Sequence, residues 1–230
     1  LFLLGPGSDG KSKFIKVLKM LVGEQNTAAV AIKDLENEFY RSMLYNKLLN
    51  ISTEISSSYF DSSFFKAIVT GEPVSAAFKN KDPFEFEPFC KMVYSGNDLP
   101  RVRDTSDGFY RRWLPIEFKR QFFGKDDDTN LIDKFEAELS EIYRWALTGL
   151  HRLWEQGGFT QSDETDRLLA VYRKDNNPVL AFLEDKCVIR NTEHVSKDDL
   201  YRSYRNYCDQ YNFMAKNKTH FFRELNSSLR

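Results

Sequence analysis

The sequence predicts an α/β fold built on a P-loop-type sheet flanked by helices, and three observations predict it. A short apolar run, Leu1-Phe-Leu-Leu4, leads into a glycine-rich turn, and a helical pattern begins at Lys11. Further short apolar runs, Lys47 to Ile51 and Phe89 to Tyr94, alternate with stretches of helical periodicity. Polar clusters follow those runs directly, at the strand ends where α/β sheets bind ligands. At 230 residues and 41% hydrophobic content, the chain has room for one core and a small satellite. We expect a core over 1–124, a helical lid or linker over 125–177, and a small C-terminal module over 178–230.

The first element is the strand and turn that end in Gly5-Pro6-Gly7-Ser8-Asp9-Gly10-Lys11-Ser12-Lys13. Gly5 and Gly10 let the backbone curl with its N–H groups pointing inward, and a helix N-terminus adds its positive end. In that spacing Lys11 reaches the β- and γ-phosphates of a nucleotide, and the Ser12 hydroxyl ligates the Mg²⁺ between them. ATP and Mg²⁺ are therefore the expected cofactors, cradled from Gly5 to Lys13. Because the chain opens directly on this strand, we also expect that part of the native protein precedes it.

The helix after the loop places Phe14, Ile15, Val17, Leu18 and Leu21 at helical spacing and ends at Gly23. Ile32, Leu35, Phe39, Met43 and Leu44 continue that spacing between Thr27 and Asn46, which predicts one or two crossover helices. Lys47 to Ile51 then reads as a buried strand ending in Ser52-Thr53-Glu54. P-loop proteins place a second strand beside the first, and its acid holds Mg²⁺ or orients the attacking water. Glu54 is the candidate for both tasks, against the alternative of a capping or solvated glutamate. Asn50 and Ser52 stand in that strand where an aspartate is usual.

A helix over Ser62 to Val69 is closed by Thr70-Gly71-Glu72-Pro73. Val74 to Phe78 and Phe84 to Pro88 alternate with period two around Lys79-Asn80-Lys81-Asp82-Pro83, a β-hairpin with two lysines at its tip. The tip reads either as an ordinary solvated turn or as a phosphate-contacting finger. Phe89 to Tyr94 delivers Asn97 to a strand end, where it can hold an attacking water or simply make a turn before Pro100. Arg111 and Arg112 stand in tandem before the next strand, a pattern suited to stabilising phosphoryl-transfer charge, often across a subunit interface.

From Thr129 to Trp154 the apolar residues form one helical stripe, expected as a lid against the sheet. Another helix runs Glu164 to Arg173, and Asn176-Asn177-Pro178 marks a boundary. The tail predicts a helix, a short strand over Cys187 to Arg190, and two more helices, similar to a winged-helix or helix-turn-helix module. Its tyrosines, Tyr201, Tyr204, Tyr207 and Tyr211, read as core before they read as base-stacking. Charge shifts along the chain, from net −7 over residues 125–185 to net +4 over 186–230, although the whole is only −1. The three cysteines and three histidines make no metal-ligand spacing. No apolar run approaches the roughly 18 residues that span a bilayer, so a soluble intracellular protein without membrane partners is expected.

The order of these signals resembles the superfamily 3 helicases, in particular the helicase half of phage, plasmid and poxvirus primase-helicases. The resemblance rests on Gly5 to Ser12, Glu54, Lys66 with Thr70-Gly71-Glu72, the lysine-tipped hairpin, Ser95-Gly-Asn97-Asp-Leu-Pro100, and Gly108-Phe-Tyr-Arg-Arg112 leading to Ile116-Glu-Phe118. It implies an AAA+-like ATPase that assembles as a hexameric ring on single-stranded or forked DNA, with a primase region elsewhere in the protein. It further implies that Lys11 and Ser12 are the Walker A pair, Glu54 the Walker B glutamate and Asn97 the sensor asparagine. Arg111 or Arg112 is then the arginine finger, and Lys79 and Lys81 are the DNA-contacting hairpin. A nucleotide-switched DNA-binding or origin-recognition module is the alternative.

Overall fold

In the computed structural model the chain runs β1 (Phe2–Leu4), α1 (Lys11–Val22), β2 (Thr27–Ala28), α2 (Glu38–Ser42), β3 (Leu49–Ser52), α3 (Ser62–Thr70), β4 (Val74–Ala76), β5 (Phe84–Phe86), β6 (Lys91–Gly96), α4 (Asp107–Tyr110) and β7 (Pro115–Glu117). Helices follow: α5 (Leu131–Ala137), α6 (Leu139–Gln156), α7 (Asp163–Asn176), α8 (Pro178–Lys186), α9 (Lys197–Gln210) and α10 (Lys218–Ser228). The structure describes residues 1–53, 59–190 and 192–229. It divides into two compact units, Leu1–Leu169 and Ala170–Arg230.

Phe2 and Leu3 are both fully buried, which consecutive strand residues can be only when both faces of the sheet are covered. Five parallel strands run in the order β2-β3-β6-β1-β7, so β1 is interior. Leu3 packs with Ile15 of α1, Leu49, Ile51 and Val93 on one face. Phe2, its side chain on the other face, meets an aromatic cluster around Trp113: the Trp113 ring lies 5.7 Å from Phe2, 5.1 Å from Phe65 of α3 and 5.6 Å from Phe109 of α4. Helices thus cover both faces, and the α/β architecture predicted from the sequence is the one found.

Several local expectations change. The second strand is not the neighbour of β1; β6 stands between β1 and β3. The stretch Thr27 to Asn46 opens on β2, a two-residue edge strand, followed by a 3₁₀ turn over Ile32–Glu36 and the short α2. Asn50 accounts for that edge: its Oδ1 accepts from Val30 N at 2.8 Å and its Nδ2 donates to Val30 O at 2.9 Å, prolonging the ladder where β2 has ended. A fully buried amide with both groups satisfied is a strand clamp rather than a metal ligand. The single stripe from Thr129 to Trp154 breaks at Glu138 into α5 and α6.

In the second unit, Phe182, Tyr204, Tyr207, Cys208 and Phe221 form the core of three helices. Asn177, Ser196 and Asn217 cap α8, α9 and α10 through their side chains. Tyr204 and Tyr207 are buried, with Tyr204 Oη accepting from Lys216 N at 3.0 Å and Tyr207 Oη donating to Asp185 at 2.7 Å. Of the tyrosine stripe, Tyr204 and Tyr207 are therefore core, Tyr201 packs half-buried against them, and Tyr211 is exposed. Cys187 to Arg190 makes no strand among the described residues; Val188 and Ile189 are exposed.

Candidate nucleotide-binding loop and its surroundings

Leu4 pairs with Gly96 on one side and Glu117 on the other, and the chain then leaves the sheet at Gly5, whose N–H donates to Gly96 O at 3.2 Å. Gly5 is enclosed: an added Cβ would lie 2.2 Å from Asp9 Oδ2 and 2.8 Å from Phe118 O. Gly7, Ser8 and Gly10 take positive φ angles of 100°, 51° and 91°, the left-handed turns that make a concave row of backbone N–H groups. Gly10 then caps α1 with no side-chain hydrogen bond, and the first turn carries no acid. The helix thus points its positive end toward the turn, where an anion would be favoured.

Lys11 is 7% exposed and Asp9 5%. The Lys11 ammonium donates to Gly5 O at 2.8 Å and forms an ion pair with Asp9 Oδ2. Asp9 also accepts from Gly7 N and from Lys11 N, each at 3.2 Å. Burial works to raise the Asp9 pKa, but the Lys11 hydrogen bonds, the Gly7 N–H and the Lys11 charge outweigh it and hold the carboxyl below its usual range. A carboxylate of the loop itself thus sits among the groups expected to receive phosphate. Pro6, Ser8 and Ser12 are exposed, while Lys13 is half-buried.

Asn97 is exposed, one residue past Gly96, and so stands beside the start of the loop. Glu54 lies outside the described residues. Lys79 and Lys81 are exposed at the turn between β4 and β5, a two-stranded sheet separate from the main one.

Arg111 and Arg112 precede β7, at the end where Pro115 pairs with Phe2. Because β1 and β7 are parallel, the arginines lie at the opposite strand end from the loop, roughly 10 Å of strand away. Arg111 is exposed. Arg112 is half-buried, its Nη1 donating to Gly108 O and its Nε buried without a hydrogen-bond partner among the described residues. The segment after β7, which no motif in the sequence marks, braces the loop. Phe118 N donates to Leu4 O at 2.7 Å, Gln121 Nε2 to Gly7 O at 3.0 Å and Phe122 N to Ser8 O at 2.7 Å. Its signal was its place just past a strand's C-terminal end.

Comparisons with known proteins bear on both units. Residues 3–112 match a family of unknown function, DUF5906, and residues 174–230 match the poxvirus D5 protein-like family. A protein of Acanthamoeba polyphaga mimivirus that carries a provisional helicase name, L207/L206, is 26% identical over 215 residues, 88% of this chain. The apo structure of the NrS-1 C-terminal region superposes with a TM-score of 0.57 at 15% identity over 96% of this chain and 60% of that one. Its A form gives 0.53 at 18% identity over 74% of this chain and 41% of that one. By these matches the chain is similar to primase-helicase domains of the phage and poxvirus type. The domain spans only 21% of the mimivirus relative. In this domain the family match to residues 3–112 takes in the loop, Asn97, the hairpin and both arginines, and the poxvirus match falls on the helical unit.

Proposed function

We propose that this domain is the ATP-driven motor of a DNA helicase, acting as a hexameric ring on single-stranded or forked DNA in phage- or plasmid-type replication, alongside a primase region. The observation that carries the reading is the division of charged groups between the two ends of β1. The anion-accepting loop and Asn97 stand at one end, and a tandem arginine stands at the other, too far to serve the same loop.

The loop fits a triphosphate because it already accommodates a carboxylate on the Gly7 and Lys11 N–H groups and the Lys11 ammonium. Bound ATP with Mg²⁺ would supply the phosphoanhydride whose cleavage drives the motor. Lys11 would neutralise phosphate oxygens, Ser12 and Glu54 would hold the metal, and Asn97 would orient water. Arg111, exposed, would reach the phosphates of a neighbouring copy, while Arg112 braces its own turn through Gly108 O. A finger supplied in trans raises phosphoryl transfer by about 10³ to 10⁵, so assembly and activity are coupled.

ATP hydrolysis measured against protein concentration, with and without single-stranded DNA, tests this. We expect the rate per subunit to climb with concentration and again with DNA. A flat rate that DNA leaves unchanged would remove the ring motor and leave the nucleotide-switched module.

A further inference from the structure

The β4–β5 hairpin carries more than its two lysines. Phe78 stacks on Phe84 with ring centroids 5.0 Å apart and planes 14° from parallel. Phe84 continues to Phe86 at 5.8 Å, and Tyr45 sets its edge against both, at 5.3 and 5.5 Å. This column ends at the tip in a ring that is 40% exposed. The pairing of Ala76 with Phe84 and Val74 with Phe86 puts those residues on one face, and Ser75 with Glu85 on the other. The Glu85 carboxylate is therefore directed away from the aromatic column.

At the tip, Asn80 takes a left-handed conformation between the lysines, and Lys81 Nζ lies 5.7 Å from the Phe78 ring centroid. Neither Lys79 nor Lys81 makes an ion pair among the described residues. The base of the hairpin is anchored from below. Arg41, 3% exposed, donates Nε to Ser75 O at 2.7 Å and Nη1 to Leu35 O at 2.8 Å, and lies 3.9 Å over the Phe64 ring. Ala77 N donates to Glu38 O at 3.2 Å. A tip held this way presents its ring with little left to order on binding.

We propose that Phe78 is a base-stacking platform for single-stranded nucleic acid, with Lys79 and Lys81 on the flanking phosphates. Every base offers a π-face and every nucleotide a phosphate, so an exposed ring beside two lysines that make no ion pair among the described residues fits that polymer irrespective of sequence. Lys81 would exchange the ring for a phosphate as the base arrives. The inference rests on the hairpin being the DNA contact of the proposed motor, and adds to it a contact that salt does not weaken.

The test is equilibrium binding of the whole chain to an oligothymidine and to an abasic oligomer of equal length, across salt concentrations. Phe78→Ala and Phe78→Leu should each weaken oligothymidine binding about 5- to 100-fold, leave abasic binding and the salt slope unchanged, and be rescued by Phe78→Trp. Equal losses on both oligomers, or no loss on either, would overturn the platform. The pair Lys79→Ala with Lys81→Ala separates the two readings. If it weakens both oligomers while the Phe78 variants change nothing, the platform falls and the hairpin contact stands. If the unaltered chain binds neither oligomer, both fall.

Discussion

Lys11 and Lys79 carry the same side chain under opposite conditions. Lys11 is nearly buried, with its ammonium shared between the Gly5 carbonyl and the Asp9 carboxylate. Lys79, with Lys81, stands exposed at a turn and makes no ion pair among the described residues. Adjacent arginines repeat the contrast: Arg112 is half-buried on Gly108 O, and Arg111 is exposed. A cation satisfied from within is fixed in place and insensitive to salt, and it acts on whatever enters its pocket. A cation left unsatisfied gains most from an outside partner, at a strength that salt reduces. The domain thus separates charges satisfied from within from charges left exposed at its surface.

The largest expected effect tests the arginine half of that contrast. Arg111→Ala should lower ATP hydrolysis by about 10³-fold or more while nucleotide still binds, and mixing with Lys11→Ala subunits should restore turnover. Arg112→Ala should cost less in turnover and more in thermal stability; equal kinetic losses would erase the distinction. Next in size, Lys11→Ala should reduce single-turnover hydrolysis by about 10² to 10³-fold, and full turnover in that variant would dismiss the loop assignment. Lys79→Ala with Lys81→Ala should flatten the salt dependence of single-strand binding by about 1.4 in log–log slope, at about 0.7 per phosphate contact. Hydrolysis without DNA should not change. The smallest effect has the opposite sign: Asp9→Asn removes the charge that competes with phosphate and should tighten nucleotide binding by about 1 kcal/mol, roughly fivefold in Kd. Weaker binding in titration calorimetry would mean that Asp9 serves the nucleotide instead of standing in for it.

The sheet and the loop were legible because their signals are local. A glycine at each end of the turn, an apolar run before it and a helical period after it need nothing distant to be read. β2 was not legible, since a two-residue strand has no period and depends on the Asn50 amide twenty residues away. The break at Glu138 was hidden because the apolar stripe continues across it in sequence. Asp9 appeared in the sequence only as one position of the cradle; its ion pair with Lys11 depends on the left-handed turns that fold it back. Likewise, Gln121 and Phe122 reach the loop only because β7 lies beside β1, and no spacing in the sequence announces that adjacency. The hairpin was read from its alternation, but the pleat that sends Glu85 to the far face emerged only with the register.

The position of β1 also sets an order of events during synthesis. Its two neighbours are residues 91–96 and 115–117, so β1 leaves the ribosome well before either of its partners. Until Glu117 has emerged, Leu4 lacks one flanking strand and the turn after it lacks the Phe118, Gln121 and Phe122 braces. Closing such distant pairings is slow relative to forming local helices. Nucleotide should therefore be unable to rescue shorter nascent chains from proteolysis, and the gain of protection by ATP should mark the moment at which the sheet closes.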